Sequence, residues 1–266
     1  MLRKTPFLDG RNPPLLVHCG YHKVGTVWFA RILGRVGSRY GLKVQRGMRV
    51  RGNKVTPPLP DTGIFIDPHS RAEGNTLPPF KGSHMVRDPR DMVISGYFYH
   101  KWTTERWVRM PGRMDGKGWG RSDWRGWTYH DILNSVDQEE GLAIEIHRAS
   151  AGVLHRINSW DYDDPRFHEM QYRNVIADED AAFATMFTHY GFTPKAVERS
   201  VEMAREFSFK NVTKRDVGEK SRGKSHLRSG QPGEWSQYFT GEHRKLFEEI
   251  NPGLMVKLGY EISADW

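Results

Sequence analysis

Two stretches of this chain carry residue types at spacings that could do chemistry, and a third supplies charge. Gly20-Tyr21-His22-Lys23-Val24-Gly25-Thr26 places two glycines around four residues and follows them with a threonine. At the mouth of a helix the backbone N–H groups of such a turn point at an anion, and Lys23 adds a mobile positive charge. The frame is that of a nucleotide phosphate loop, but no Lys follows the second glycine, which counts against an ordinary ATPase or kinase. Arg87-Asp88-Pro89-Arg90-Asp91 forms the second stretch, with Ser95 eight residues beyond Arg87. Its arginine could reach a second phosphate, and Ser95 offers a hydroxyl. The third, residues 210–228, holds Lys210, Lys214, Lys220, Lys224, Arg215, Arg222 and Arg228 against only Asp216 and Glu219.

The elements that must position these residues follow from hydropathy. An apolar run over residues 14–19 reads as a buried strand ending at Gly20, and the apolar spacing of residues 26–36 as a helix. Residues 63–67 and 83–86 read as further strands. Pro89, with Asp88 as N-cap, opens a helix that carries Ser95. Helix is expected over 139–160, strand over 169–175, and helix over 178–190, 195–207 and 242–258, the last broken near Pro252. Strand, loop and helix alternating in this way imply an α/β fold, a three-layer parallel sheet flanked by helices. Residues 211–231 read as disordered on composition. No repeat and no linker interrupts the 266 residues, so one domain, 1–266, is the expected count.

Charge and composition narrow the function classes. The net charge is +8, and residues 1–54 hold twelve Lys/Arg against the single acid Asp9. Such polarity suits an anionic ligand: a nucleotide, a nucleic acid or an acidic saccharide. No apolar run reaches the roughly 18 residues of a membrane span, and no secretory signal follows the basic first residues. The single cysteine, Cys19, reads as a packed small residue and allows no internal disulfide. A cytoplasmic setting and no integral membrane segment are therefore expected. The histidines are scattered, so no metal site is expected.

The motifs together resemble the PAPS-dependent sulfotransferases, which move a sulfuryl group from 3′-phosphoadenosine 5′-phosphosulfate (PAPS) to a hydroxyl or amine. Residues 21–28, YHKVGTVW, resemble the family's 5′-phosphosulfate loop YPKSGTTW, with His22, Val24 and Val27 departing from it. RDPRDMVIS, from Arg87 to Ser95, resembles the 3′-phosphate motif, including its eight-residue spacing. LRSGQPGEW, residues 227–235, is similar to RKGxxGDW. There the resemblance implies that Arg228 and Gly230 hold the 3′-phosphate, with Ser229 where the family has Lys. Tyr172, and Ser208-Phe209 in FSFKN, echo the family's adenine contacts, with Trp28 on the other face. Cofactor-binding residues implied are Lys23, Val24, Gly25, Thr26, Val27, Trp28, Arg87, Ser95, Tyr172, Ser208, Phe209, Arg228, Ser229 and Gly230. The donor would be PAPS, leaving as 3′-phosphoadenosine 5′-phosphate (PAP), with no metal.

Sulfuryl transfer resembles phosphoryl transfer, so positioning and charge stabilisation dominate. Lys23 suits the leaving phosphate oxygen. The family's base is a His in a KTH context, which implies His69 in Ile66-Asp67-Pro68-His69, with Glu73 as the alternative carboxylate and His100 and Lys81 behind them. A Trp- and Gly-rich segment at about 102–127 fits no helical or strand period and reads as a functional loop or lid. Trp102, Trp107, Trp119 and Trp124 there are the acceptor-site candidates. Six interleaved cations point to a saccharide or another polar ring compound, with no nucleic acid as partner. Two other readings stay open: a P-loop kinase of a nucleoside or small molecule, and a non-catalytic basic module for RNA or polysaccharide.

Overall fold

The strand β1 (Leu15–Cys19) is buried at every position, as a strand covered on both faces must be. The computed structural model describes residues 6–9, 13–47, 49–51, 54–56, 58–72, 74–117, 120–225 and 227–266. Helix α1 (Thr26–Tyr40) follows β1, then β2 (Val44–Arg46), the antiparallel pair β3 (Arg49–Arg51) and β4 (Lys54–Thr56), β5 (Ile64–Asp67) and β6 (Phe80–Val86). Next come α2 (Pro89–His100), α3 (Tyr129–Ser135), α4 (Gln138–Ala149), α5 (His155–Ser159) and β7 (Phe167–Gln171). The helices α6 (Tyr172–Ala177), α7 (Glu179–His189), α8 (Pro194–Arg205), α9 (Phe209–Thr213), α10 (Gly241–Ile250) and α11 (Leu254–Lys257) complete the order.

Five strands pair in parallel in the order β2-β5-β1-β6-β7, the α/β class that the alternation implies. The chain divides into two compact units. The first comprises Met1–Arg87 and Asp161–Asp216, and the second Asp88–Trp160 and Val217–Trp266. The first holds the sheet with α1 and α6 to α9. Register sets a row of polar side chains across its strand ends, since Cys19 pairs with Asp67 and with His84, and His84 with Glu169. Ligands of open α/β sheets bind beyond these carboxyl ends.

The second unit is helical. Two glycines let α2 and α4 approach closely: a Cβ at Gly96 would lie 2.5 Å from Glu145 Oε1, and one at Gly141 2.6 Å from Tyr97 Cε2. Glu145 is fully buried and accepts from His100 Nδ1 (2.9 Å), Tyr129 OH (2.6 Å) and Arg148 Nε (2.8 Å). Burial pushes its carboxyl up, but the Arg148 and His100 charges and bonds outweigh that and hold it down to about 2.

Two expectations need correction. Strand was expected over 169–175, but β7 ends at Gln171, because its partner β6 ends at Val86 and leaves nothing further to pair with. Tyr172 therefore opens α6. Residues 211–231 are ordered where described: Gly218 N–H bonds Ser229 O and Ser221 N–H bonds Arg228 O, both at 2.9 Å. Composition weighs side chains and is blind to such backbone pairs. Where described, segment 102–127 is built of turns, including the 3-10 turn Ser122–Trp124, as a loop reading expects; α3, capped by Thr128, follows it and was not among the expected helices.

Candidate active site

In the first unit the loop between β1 and α1 is shaped by backbone. Gly20 N–H bonds Asp67 O at 3.1 Å, and the Thr26 hydroxyl donates to Tyr21 O at 2.8 Å. Gly25 is the N-cap of α1 at φ 99°, where only glycine is unstrained. Lys23 stands at φ 71°, a left-handed conformation that costs a side-chain-bearing residue roughly 1–2 kcal/mol. No side chain caps α1 and no acid occupies its first turn. Lys23 adds its charge to the partial positive charge of this helix end.

A hydrogen-bonded chain lies under this loop. Tyr21 OH meets His84 Nε2 at 3.1 Å, and His84 Nδ1 meets Glu169 Oε2 at 2.6 Å, with Tyr21 and His84 fully buried. Motif reading missed His84 and Glu169, and their only signal was strand register. Arg87 is buried; its Nη1 donates to Lys23 O at 3.4 Å and its guanidinium lies 4.6 Å over the Tyr172 ring. The structure therefore gathers Lys23, Arg87 and Tyr172 around one loop.

His69 lies on a second loop tied to the first. Asp67 Oδ1 accepts from His69 N–H (3.0 Å) and Oδ2 from Arg71 N–H (2.5 Å) and Ala72 N–H (2.7 Å). Ser70 donates to Gly20 O at 2.9 Å. Asp67, where the KTH pattern has Lys, is thus the residue that builds this loop and leaves His69 exposed. Glu73 lies outside the described residues. Lys81 sits at the opposite end of β6 from Arg87. His100 is buried in the second unit against Glu145 and Trp107.

Around the expected base site, Trp28 meets Phe183 edge-on at 5.4 Å, and Phe209 is buried under the Arg215 guanidinium at 5.2 Å. Ser208 caps α9, its hydroxyl accepting from Asn211 N–H at 3.3 Å. Burial pushes the Glu179 carboxyl up to about 7, Asp180 adds to this, and a bond from the Phe209 backbone opposes it. Val24 is buried and Val27 exposed.

In the second unit, side chains do the shaping. Arg228 makes a two-pronged pair with Glu234, at 2.6 Å for each bond, and lies 4.6 Å over Phe98. Ser229 donates to the same carboxylate at 2.6 Å. Gly230 and Gly233 take positive φ, 70° and 79°. Asp91 accepts from Gly233 N–H (2.8 Å) and Trp235 N–H (2.9 Å), which joins the two motifs of this unit directly. Ser95 is half-buried on α2.

Three tryptophans of segment 102–127 pack against neighbouring side chains. Trp102 meets Tyr99 edge-on, Trp107 stacks on Tyr129 and donates to Glu105, and Trp124 is buried beneath Arg121. Trp119 lies outside the described residues. Trp127 is exposed. Among the described residues no His/Cys/Asp/Glu cluster could hold a metal ion.

In the first unit the α1 N-terminus, Lys23 and Arg87 present donors that suit phosphate and sulfate oxygens, and in the second Arg228 is a donor of the same kind. Comparison with known proteins bears on this. The family model described as "Sulfotransferase domain" matches residues 77–259. No curated sequence matches the chain. Among solved structures, mouse sulfotransferase SULT7A1 complexed with PAP is similar over 95% of this chain and 87% of that one, with a TM-score of 0.54 at 15% identity. Retinol dehydratase, in complex with androsterone and inactive cofactor PAP, is similar over 94% of this chain and 83% of that one, with a TM-score of 0.53 at 14% identity. At these identities the likeness is one of fold, and the family match spans the motif at Arg87–Ser95 and the segment 227–235. This chain belongs to the sulfotransferase domain family.

Proposed function

We propose that this sulfotransferase uses PAPS as donor and a polar hydroxyl compound, a saccharide or a similar ring, as acceptor. PAPS, when bound, supplies the sulfuryl group and leaves as PAP. The single observation that carries the donor reading is the uncapped α1 N-terminus with Lys23 held at its mouth beside Arg87. Lys23 stabilises negative charge at the leaving phosphate oxygen, a role that preorganised donors fill without reorganisation. Arg87 and Arg228 hold the 3′-phosphate, and Trp28, Tyr172 and Phe209 the base. His69 accepts the acceptor's proton. Its exposed place on a loop anchored by Asp67 and tied to Gly20 supports this role. The polar acceptor rests on exposed cations of segment 102–127, Arg106, Arg113, Lys117 and Arg125, beside exposed Trp127. The packed tryptophans of that segment serve as its anchors.

A sulfate-transfer screen with PAPS against saccharides, phenols and steroids tests this. Transfer to a polar ring acceptor, lost in His69→Ala with PAP affinity retained, is the expected result. Transfer only to steroids would overturn the acceptor reading, and full activity in His69→Ala the base.

A further inference from the structure

Arg90, the second arginine of the RDPRD stretch, is 2% exposed, and no role is assigned to it above. Its Nε and Nη2 donate to the two oxygens of Asp88 at 3.0 and 2.8 Å, and its Nη1 to Glu261 Oε1 at 2.5 Å. Its guanidinium also lies over two indoles set edge to face, Trp235 at 3.7 Å and Trp266 at 4.4 Å. Trp266 is fixed in turn by its indole N–H donating to Glu248 at 3.2 Å and by an edge-on contact with Trp235 at 5.5 Å. A buried guanidinium needs its charge matched and its donors satisfied. Half of that matching here comes from Glu261, 171 positions away in sequence.

We propose that Glu261 and Trp266 are positioning residues for the 3′-phosphate part of the site: through Arg90 they hold the 228–235 segment, and with it Arg228, in the orientation that receives the phosphate. This rests on the reading of Arg228 as a 3′-phosphate ligand. Arg90 stacks on Trp235, whose backbone N–H is bound by Asp91. Glu234, the residue before Trp235, holds both prongs of Arg228 and the Ser229 hydroxyl. Loosening Trp235 therefore tilts the short turn Glu234–Gln237 and carries Glu234 and Arg228 with it. A guanidinium that binds phosphate with two parallel bonds is sensitive to such a tilt.

The test is calorimetric titration of PAP and of AMP, which lacks the 3′-phosphate, into the full chain and into Glu261→Gln, Trp266→Ala and Trp266→Phe. Coupling through such a network is worth roughly a 2- to 30-fold change in affinity. The expected result is a loss of that size for PAP in Glu261→Gln and Trp266→Ala, with AMP nearly unchanged and Trp266→Phe restoring PAP binding. In an Arg228→Ala background, Glu261→Gln should cost PAP nothing further. Turnover at saturating PAPS should hold while KM for PAPS rises. Circular dichroism checks folding, and Glu261→Gln and Trp266→Phe carry the test if Trp266→Ala does not fold. Unchanged PAP affinity in the folded variants, or equal losses for PAP and AMP, would overturn the proposal. If the unaltered chain already binds PAP and AMP equally, the 3′-phosphate reading of Arg228 itself fails, a distinct outcome that takes this inference with it.

Discussion

The loop 20–25 and the segment 228–235, both proposed to bind phosphate groups of the donor, are built in opposite ways. The first takes its shape from backbone: a glycine at φ 99°, a lysine at φ 71°, and carbonyls that receive Thr26, Ser70 and Arg87. The second takes its shape from side chains: Glu234 on Arg228 and Ser229, Asp91 on two N–H groups, and Arg90 against two tryptophans. A backbone-built site tolerates new side chains, and the loop departs from the YPKSGTTW pattern at His22 and Val24, with Val27 departing just inside α1. The segment departs from RKGxxGDW as well, with Ser229 for Lys and Glu234 for Asp, and there the departing residues are paired with each other, Ser229 donating to Glu234 at 2.6 Å.

The largest effect expected is at Lys23, the loop side chain proposed to face the leaving phosphate oxygen. Lys23→Ala should lower turnover roughly 100-fold or more at saturating PAPS, with the circular dichroism spectrum unchanged. Steady-state kinetics check it, and normal turnover would remove Lys23 from the site.

The contrast is sharpened by a pair of loop variants. Gly25→Ala forces a side chain into the left-handed region, at roughly 1–2 kcal/mol, and should weaken PAP binding about 5- to 30-fold. Val24→Ser, which restores the family's residue, should shift it by less than about twofold, since the buried Val24 side chain packs beneath the loop (a Cβ on Gly20 would meet its Cγ2 at 3.2 Å) and the backbone path stays the same. A large effect from Val24→Ser and none from Gly25→Ala would break the contrast.

A smaller, pH-dependent effect separates the two units. Burial, with the nearby His84, lowers His18 from 6.5 to about 3, so the unfolded chain takes up a proton there before the folded chain does. The stabilisation from His18 is therefore complete above pH 6.5 and declines as pH falls below it. Glu145, held at about 2 against an ordinary 4.5, contributes fully above pH 4.5 and loses its contribution as pH falls toward 2. Stability should decline by about 1.4 kcal/mol per pH unit for each group in its window. Denaturant midpoints against pH should show a first limb below 6.5, lost in His18→Gln, and a steeper one below 4.5. A flat profile from pH 7 to 5 in the unaltered chain would contradict the first.

Much of this was legible in the sequence, and for identifiable reasons. β1, α1, β5, α2 and the two motifs that follow strands are local features, encoded by apolar runs, Gly25, Asp88 and Pro89. Tyr172 as a helix start was not legible, because the end of β7 is decided by the end of β6, 85 positions earlier in register (Val86 with Gln171). Asp67 reads as a departure from KTH until its three N–H partners are seen. The Arg90 cluster joins residues from positions 88, 235, 261 and 266, and no periodicity links them. The cap Thr128, with Asp131 three residues on, was a readable signal for α3 that hydropathy alone passes over.

The central claim is that this sulfotransferase takes its donor by the 3′-phosphate as well as by the loop. Titrating PAP, AMP and ATP into the purified chain and into Arg228→Ala tests it most directly. The account predicts that PAP binds more tightly than AMP by roughly 10-fold or more, the worth of charge-assisted bonds to one phosphate, that ATP binds no better than AMP, and that Arg228→Ala removes most of the preference for PAP. Equal affinity for PAP and AMP, or tighter binding of ATP, would contradict it.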